Sequence, residues 1–354
     1  MNILITGACG VTSRSVLRSL KQSSVFWDAT FIGTDTCENT YGLYEKLYTK
    51  IYKVPRFDAP DYIKIISDII IREEIEVAII ISELEVLEWA KHRFPTKYVV
   101  PPLEFCQHSI NKATLYSILE NSGMVPKFEI LHRDEIQKGN IGKPNTYPLW
   151  IRDFSSGSTS GKGALEIKSI DEAQAWITIN SNIDRFMITE YLSGGNYACH
   201  LLYHNNKLIK TGSYERLEYF MKRVSPSGIT GNISKGRLIN NKKITEVATR
   251  AITLICKKIN VQMNGIVAVD LKADNDGNPY ITEINIRHVA ATFAFASAGF
   301  NLAEYQLLLA INKPELLDTS IEKEYPVNNM ILRDIDGLPI WIENYREPAI
   351  GEAI

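Results

Sequence analysis

The residues best suited to chemistry in this sequence lie in the string EINIR, residues 283–287. Residues two apart on a strand face the same side, so Glu283, Asn285 and Arg287 project together. A DNDG turn signal upstream predicts a hairpin that brings Asp270 beside them. Two carboxylates and an amide oxygen suit Mg²⁺, and Arg287 could neutralise charge on a transferred phosphoryl group. The alternative is a solvated hairpin face with ordinary ion pairs.

A Ser/Gly-rich loop, SSGSTSGKG at residues 155–163, is a candidate phosphate-binding segment. Small residues let the backbone approach phosphate oxygens closely, with amide N–H groups as donors. The loop does not match the P-loop pattern GxxxxGK[ST], because Ser156 and Gly163 occupy two of its fixed positions. A flexible hairpin loop is the alternative interpretation.

Two basic residues and an extended segment complete the candidate set. Lys112 opens a predicted helix, and Arg152 ends the predicted strand that leads into the glycine-rich loop. Either cation could reach phosphates, although a lone lysine is more often surface charge. The segment Glu190–Leu192 could present backbone groups to an adenine edge, and Asn196 could reach a ribose.

The first hundred residues predict an α/β unit that would support these groups. Strands alternate with helices, which is typical of a parallel sheet covered on both faces. The predicted strands are Asn2–Thr6, Phe31–Asp35, Val77–Ile81 and Tyr98–Val100, and the predicted helices are Val11–Leu20, Tyr62–Ile71 and Leu84–Arg93.

The rest of the chain predicts α+β units. A helix capped by Ser109 runs through Leu119 and stops at Gly123. The further predicted strands are 147–152, 164–168, 187–192, 197–204, 207–213, 265–272 and 279–285, with helices at 170–179, 244–259 and 302–311. Strand-like pieces are expected in the tail around Asp336.

Composition narrows the class of protein. The 354 residues are 45% hydrophobic and 23% charged, as in ordinary globular domains, and 39 basic against 41 acidic residues give a net charge of −2. That balance does not favour broad binding to nucleic acid or an anionic membrane. No apolar run approaches the roughly 18 residues that span a bilayer. Five scattered cysteines without a CxxC pattern predict reduced thiols in a cytoplasmic protein.

Taken in order, these features resemble the ATP-grasp superfamily, especially its carbamoyl-phosphate-synthase-like and biotin-carboxylase-like carboxylate–amine ligases. The resemblance covers about residues 1–312. It implies a Rossmann-like pre-ATP-grasp domain followed by a two-subdomain ATP-grasp fold. The implied units are residues 1–108, a linker helix and small subdomain at 109–195, a large subdomain at 196–313, and a tail at 314–354.

The resemblance also implies residue roles. It places Arg287 as the catalytic arginine and Asp270, Glu283 and Asn285 as Mg²⁺ ligands, with Mn²⁺ as a substitute. The implied ATP-binding residues are Lys112, Arg152, Ser156, Gly157, Gly161, Lys162, Gly163, Glu190, Tyr191, Leu192 and Asn196. Two positions depart from the family pattern: Asn196 stands where a ribose-binding Glu is usual, and Asp153 replaces a Pro.

The implied reaction is ATP-dependent and ADP-forming. A small carboxylate, such as an amino acid or a similar polar acid, attacks the γ-phosphate of ATP to give an acylphosphate, and an amine then displaces phosphate. The expected partners are these small molecules, with no nucleic acid and no membrane, and a homodimer is expected because relatives commonly dimerise. The candidate substrate-contacting residues are Gly7, Gly10, Arg216, Gly228 and His288.

Two other functions stay open. The turn from Gly7 to Gly10, with Asp35 at the end of the second strand, partly matches a dinucleotide site of an NAD(P)-dependent oxidoreductase, although it lacks the full GxGxxG. A non-catalytic nucleotide-binding regulator on the same scaffold is supported only by Asn196. Nicotinamide binding would favour the first, and turnover of ATP would exclude the second.

Overall fold

The computed structural model describes residues 1–36, 42, 46–154, 163–334 and 349–353. Its strands form three sheets: a parallel sheet near the amino terminus and two antiparallel sheets that follow. Among the described residues, no helix has the length and apolar character needed to cross a membrane. Cys106, Cys199 and Cys256 are buried free thiols, as predicted, and Cys9 is also buried.

The first sheet has four parallel strands in the order β3-β2-β1-β4. These are β1 (Asn2–Thr6), β2 (Thr30–Asp35), β3 (Lys50–Lys53) and β4 (Val77–Ile79), with helices α1 (Val11–Lys21), α2 (Tyr62–Arg72) and α3 (Glu83–Lys91). The sequence predicted all of these except β3. The predicted strand Tyr98–Val100 is wrong: only Lys97 pairs with β4, in a single bridge, before the chain reaches Pro101 and turns away.

Two short helices connect this sheet to the next unit. They are α4 (Leu103–Ile110), which the sequence did not predict, and α5 (Lys112–Leu119). The predicted cap at Ser109 is wrong, because Ser109 is buried inside α4. The cap of α5 is instead Asn111, whose side chain accepts a hydrogen bond from the backbone N–H of Thr114 at 3.1 Å. Gly123 ends the helical segment with φ +70°, as predicted.

The second sheet is small and antiparallel, with the order β5-β8-β6-β7. Its strands are β5 (Phe128–His132), β6 (Leu149–Asp153), β7 (Leu165–Ile167) and β8 (Arg185–Glu190), and its helices are α6 (Arg133–Gln137) and α7 (Ile170–Ile179). The sequence missed β5 and α6 and predicted the others. Ser169 caps α7 by accepting a hydrogen bond from the N–H of Glu172, which aligns acidic residues with the positive helix end.

The third sheet is the largest, with the order β13-β12-β9-β10-β11-β14. Its strands are β9 (Asn196–His204), β10 (Lys207–Tyr219), β11 (Ile233–Ile239), β12 (Gly265–Ala273), β13 (Pro279–Asn285) and β14 (Ile331–Leu332). Both predicted hairpins, β9–β10 and β12–β13, are confirmed, whereas β11 was not predicted. The predicted pieces around Asp336 lie outside the described residues.

Helices cover both faces of the third sheet. One face packs on α8 (Lys242–Ile259), and the other on α9 (Thr292–Ser297) and α10 (Leu302–Ala310). The α10 helix also packs with residues of the first sheet, so one apolar core joins the two units. The tail returns to the first sheet, where the N–H of Gly351 donates to the carbonyl of Lys53 at 2.7 Å. The domain boundaries stay predictions.

Candidate active site

A cleft between the two antiparallel sheets contains half of the predicted site residues. Its volume is about 630 Å³, within the range expected for a small-molecule site. The strands and helix that contribute to it are α5, β6, β7, β8, β9, β10, β12 and β13. The predicted site residues that line it are Lys112, Arg152, Glu190, Tyr191, Leu192, Asn196, Arg216, Gly228, Asp270 and Glu283.

The β12–β13 hairpin places the predicted metal ligands on one face. Asp270 pairs directly with Glu283, and Ala268 pairs with Asn285, in the antiparallel register. Directly opposed residues point to the same side, so both carboxylates face the cleft. Asn285 is buried deeper, with its Nδ2 atom 3.5 Å from the carbonyl oxygen of Ala268.

This donor set fits Mg²⁺. Oxygen ligands from two carboxylates and an amide leave positions for phosphate and water, as Mg²⁺ usually requires. Within the ranges that the structure describes, no cluster of three or more His, Cys, Asp or Glu side chains forms a metal site. The metal assignment of Asp270, Glu283 and Asn285 stays a prediction.

Both predicted cations also face this cleft. The Nζ atom of Lys112 lies 3.8 Å from a carboxylate oxygen of Glu283. Burial lowers the pKa of Lys112. The negative charge of Glu283 acts to raise this pKa, and the positive charge of Arg152 lowers it further. The guanidinium of Arg152 lies over the ring of Tyr116, 5.2 Å from its centroid, and its Nη1 atom is 3.5 Å from the carbonyl oxygen of Thr282. The cleft therefore contains two basic groups as well as the two carboxylates.

The segment from Glu190 to Asn196 is held tightly at the cleft mouth. The N–H of Gly194 donates to the carbonyl of Ala273 at 2.8 Å, and the N–H of Ala273 donates to Gly195 at 2.9 Å. Lys272 donates to the carbonyl of Gly194 at 2.7 Å. A Cβ atom on Gly194 would lie 2.3 Å from the carbonyl oxygen of Asp274, so only glycine fits this crossing.

Most of the predicted glycine-rich loop cannot be placed against the cleft. Ser156, Gly157, Gly161 and Lys162 lie outside the described residues. Gly163 has φ +66°, and a Cβ atom there would lie 2.8 Å from the Cβ of Asp153. The N–H of Asp153 donates to the Gly163 carbonyl at 3.2 Å, so Gly163 lies beside the end of β6.

Arg216 projects from β10 into the same cleft. Its Nη2 atom lies 2.6 Å from Oδ1 of Asp270, and its Nη1 atom donates to Oδ1 of Asn196 at 3.2 Å. Arg216 is thus a cation beside the predicted metal ligands. Gly228, with φ +68°, lies in the segment after β10 that also lines the cleft.

Arg287 and His288 lie beyond the end of β13 and do not line the cleft. The Nη1 atom of Arg287 donates to the carbonyl of His288 at 2.9 Å. His288 is fully buried, with Nε2 2.6 Å from Oε1 of Gln306. Burial lowers the pKa of His288 to about 4, Gln306 acts to raise it and Arg287 lowers it further. In this conformation His288 contacts protein groups.

Gly7 and Gly10 lie at the carboxyl edge of the first sheet, away from the cleft lining. Gly7 has φ +60°, and the N–H of Gly10 donates to its carbonyl at 2.9 Å. A carboxylate oxygen of Asp35 accepts a hydrogen bond from the N–H of Cys9 at 2.8 Å. In a dinucleotide site this carboxylate would contact ribose, whereas here it closes the turn.

Sequence reasoning missed Glu83, at the amino terminus of α3. Burial raises the pKa of its carboxyl, and the charges acting on it are Arg287, Glu283 and Lys112, in that order. The backbone of Ile286 also hydrogen-bonds to it. The segment after the first sheet therefore supplies an acidic group whose charge interacts with the predicted catalytic arginine. The sequence signal was an acidic residue shortly after a buried strand, at the edge where parallel strands end.

Comparison with solved structures identifies the fold. An N5-carboxyaminoimidazole ribonucleotide synthetase (PurK) in complex with ADP matches with a TM-score of 0.64 and 16% identity, over 90% of this chain and 79% of that chain. An L-amino acid ligase from Bacillus licheniformis matches with a TM-score of 0.61 and 13% identity, over 88% and 74%. A biotin carboxylase from Campylobacter jejuni, in a β,γ-ATP complex, matches with a TM-score of 0.62 and 14% identity, over 88% and 70%.

The chain shares the fold of these three structures, which is the ATP-grasp fold that the sequence predicted. The mixed arrangement of one parallel and two antiparallel sheets agrees with that assignment. At the sequence level, no protein-family model and no curated protein matches the chain. At these identities the structural likeness establishes the fold, and the chemistry has to be argued from the cleft.

Proposed function

We propose that this protein is an ATP-dependent, ADP-forming ligase that activates a small carboxylate and couples it to an amine. One observation carries the proposal: Lys112, Arg152, Asp270 and Glu283 converge in one cleft at the join of two antiparallel sheets. Cations for phosphate and paired carboxylates for a divalent ion are the groups that phosphoryl transfer needs. The ADP and ATP complexes of the structural neighbours support a nucleotide in this cleft.

ATP is proposed to lie along the cleft from its mouth to the paired carboxylates. The adenine lies beside Tyr191 and Leu192, where backbone groups would hydrogen-bond to its edge. The ring of Trp150, 6.4 Å from the Tyr191 ring, would border the adenine on one side. Lys112 and Arg152 contact the phosphates. Ser156, Gly157, Gly161, Lys162 and Gly163 of the glycine-rich loop are proposed to bind the phosphates as well.

Asp270, Glu283 and Asn285 are the residues that would hold Mg²⁺. When bound, the ion would neutralise phosphate charge and hold the β- and γ-phosphates in line for transfer. The MgADP complex of a neighbouring biotin carboxylase domain supports this choice of ion. The substitution of Mn²⁺ stays a prediction.

The proposed reaction has two steps, and both depend on the positions of the substrates and on the charged groups around them. A carboxylate oxygen of the acid substrate attacks the γ-phosphorus, the bond from that phosphorus to the bridging oxygen breaks, and ADP leaves. The amine nitrogen next attacks the acyl carbon, phosphate leaves and the nitrogen loses a proton. Arg216 would hold the acid substrate. Arg287 does not line the cleft in this structure, so its predicted role of balancing the charge that develops would require it to move toward the phosphates.

The acid and the amine are proposed to be small and polar, as in amino acids. The L-amino acid ligase among the structural neighbours supports this class. Gly228 and the segment around it would border the substrates, while Gly7, Gly10 and His288 stay predicted contacts that require movement toward the cleft. A homodimer and a cytoplasmic location also stay predictions.

The test is a search for turnover. Purified protein is incubated with ATP, Mg²⁺ and pooled small acids and amines, ADP and phosphate release are measured, and products are identified by mass spectrometry. We expect ADP release that depends on an acid and a condensed product, both abolished in Glu283→Ala. ATP binding without turnover in every pool would favour a nucleotide-binding regulator, and nicotinamide binding that Gly7→Val removes would favour an oxidoreductase.

A further inference from the structure

A chain of hydrogen bonds crosses the third sheet beside the paired carboxylates. The Nδ2 atom of Asn196 donates to the hydroxyl oxygen of Tyr219 at 2.8 Å. Oδ1 of the same amide accepts from Nη1 of Arg216 at 3.2 Å. The Nη2 atom of Arg216 then donates to Oδ1 of Asp270 at 2.6 Å, and its Nε atom donates to the hydroxyl of Tyr214 at 3.2 Å. Each of the three guanidinium nitrogens therefore donates one hydrogen bond to a protein group.

Strand order makes this chain possible. Arg216 pairs with Asn196 across β10 and β9, while Asp270 lies one strand further away on β12. Arg216 reaches it diagonally, over Ala198, which pairs directly with Asp270. Ala198 is fully buried and small, so it leaves room for the guanidinium. An irregularity in β10 after Arg216 changes the register and allows Tyr219 to meet Asn196.

The orientation of the Asn196 amide follows from chemistry. A guanidinium group only donates hydrogen bonds, so the amide oxygen must face Arg216. The amide nitrogen then faces Tyr219, whose hydroxyl can accept. Asn196 therefore has both ends of its side chain engaged by protein groups. A ribose hydroxyl would have to compete with them.

The charge at residue 196 also matters. Burial acts against the charge of Arg216, but Asp270, Tyr214 and Tyr219 more than offset it, so the pKa of Arg216 is raised well above its usual value. Arg216 has one carboxylate partner, Asp270, and a neutral amide on its other side. A carboxylate at residue 196 would satisfy the guanidinium completely. The neutral amide leaves part of its charge available to an anion in the cleft.

We propose that Asn196 and Tyr219 are positioning residues that orient Arg216 toward the carboxylate of the acid substrate, and that Asn196 is not a ribose ligand. This inference rests on the proposed ligase function, because it assigns the recognition of the acid within that same cleft. Asp270 contributes through Oδ1, which accepts a hydrogen bond from Arg216.

The experiment compares Asn196→Asp, Asn196→Leu and Tyr219→Phe with the wild type. For each we would measure KM for the acid identified in the turnover screen, kcat, and the affinities for ATP and 2′-deoxy-ATP by calorimetry. Asn196→Asp should raise KM for the acid about tenfold or more, because its carboxylate competes for Arg216. Tyr219→Phe should shift KM in the same direction by a smaller factor, because Asn196 keeps its bond to Arg216.

The affinity for ATP and the preference for ATP over 2′-deoxy-ATP should stay within about twofold of the wild type in all three variants. Thermal melting would show that each variant is folded, and Tyr219→Phe keeps the test valid if a variant at 196 does not fold. Weaker ATP binding with a lost preference over 2′-deoxy-ATP would make Asn196 a ribose ligand and overturn the inference.

The two proposals fail in different ways. A wild type that turns over ATP, together with an Asn196→Asp variant of unchanged KM for the acid, overturns this inference alone. A wild type without turnover in any pool overturns the ligase function and with it the assignment of an acid to Arg216. The ribose assignment is still decided in that case, because ATP and 2′-deoxy-ATP affinities require no turnover.

Discussion

The ammonium group of Lys112 lies 3.8 Å from a carboxylate oxygen of Glu283, although 171 residues separate them in the sequence. Lys112 is the first residue of α5, and Glu283 belongs to β13 of the third sheet. The contact brings a cation for phosphate next to a candidate metal ligand, at the positive end of a capped helix. This contact supports the proposal that Lys112 binds the phosphates of ATP.

Replacing Lys112 with methionine should weaken ATP binding. Methionine keeps most of the buried side-chain volume but removes the charge that faces the phosphates. We expect the ATP dissociation constant to rise about tenfold or more, measured by calorimetry. The matched control is Lys91→Met, because Lys91 lies on α3 with an exposed side chain and a contact to Glu88 at 3.6 Å. Equal ATP affinity in Lys112→Met and the control would remove Lys112 from the site.

Alanine at residue 194 should disturb the cleft mouth. Its Cβ atom would lie 2.3 Å from the carbonyl oxygen of Asp274, so the crossing between residue 194 and β12 must widen. We expect the loss of measurable ATP binding, or a melting temperature lowered by several degrees, because a clash with backbone atoms can be relieved only at a large cost in free energy. Ser193→Ala, at the exposed neighbouring residue, should change neither quantity. An unchanged Gly194→Ala variant would contradict the tight crossing.

Replacing Glu83 with glutamine should slow catalysis without weakening nucleotide binding. Glu83 lies outside the two antiparallel sheets, and the positive charge of Arg287 acts to lower the pKa of its carboxyl. Removing this negative charge should lower kcat by about tenfold, since the charge around Arg287 changes, while ATP affinity stays within about twofold. The control is Glu104→Gln, at an exposed position on α4. A variant that loses ATP affinity and keeps kcat would place Glu83 in the nucleotide site.

Glu85 makes the stability of the first unit depend on pH. Its carboxylate accepts a hydrogen bond from the hydroxyl of Tyr62 at 2.8 Å, yet burial raises its pKa from 4.5 to about 7, opposed by Tyr62 and Thr6. A carboxyl with a raised pKa binds its proton more tightly in the folded state. Its stabilising contribution is therefore present at low pH and is lost as the pH rises through about 7.

Glu85→Gln keeps a neutral side chain of similar size at every pH. The wild type should lose about 2–3 kcal/mol relative to this variant between roughly pH 5 and pH 8, in chemical denaturation followed by fluorescence. Glu76→Gln, at an exposed site, should show no such change. A difference between wild type and Glu85→Gln that does not vary with pH would mean that Glu85 titrates normally.

The sequence could predict the elements that have clear periodicity. Alternating strands and helices gave β1, β2, β4 and the helices between them, and the EINIR string gave the face of β13. The elements it missed are short or lie near sheet edges, such as the four-residue β3, and α6 with five residues. Too few residues repeat in such segments for a pattern to be visible.

Residue spacing alone could predict the site only where its residues are close in sequence, and the resemblance to the ATP-grasp superfamily added Lys112, Arg152 and Glu190. The pairing of Asp270 with Glu283 follows from a hairpin, which is a local feature. The contact between Arg216 and Asp270 depends on β9 lying between β10 and β12, and Glu83 reaches Arg287 only because two units pack together. Such long-range placement has no counterpart in local spacing. The predicted ribose-binding role of Asn196 came from its position in the sequence, whereas the hydrogen-bond partners of its side chain depend on the strand order.

The most direct test of the central claim is to trap the proposed acylphosphate. Wild type and Glu283→Gln are incubated with ATP, Mg²⁺, an acid found to stimulate ADP release, and hydroxylamine, which attacks acylphosphates to give hydroxamates. The account predicts one hydroxamate per ADP in the wild type and little of either product in Glu283→Gln. ADP release without hydroxamate, or equal release in both proteins, would contradict the claim that this cleft activates a carboxylate.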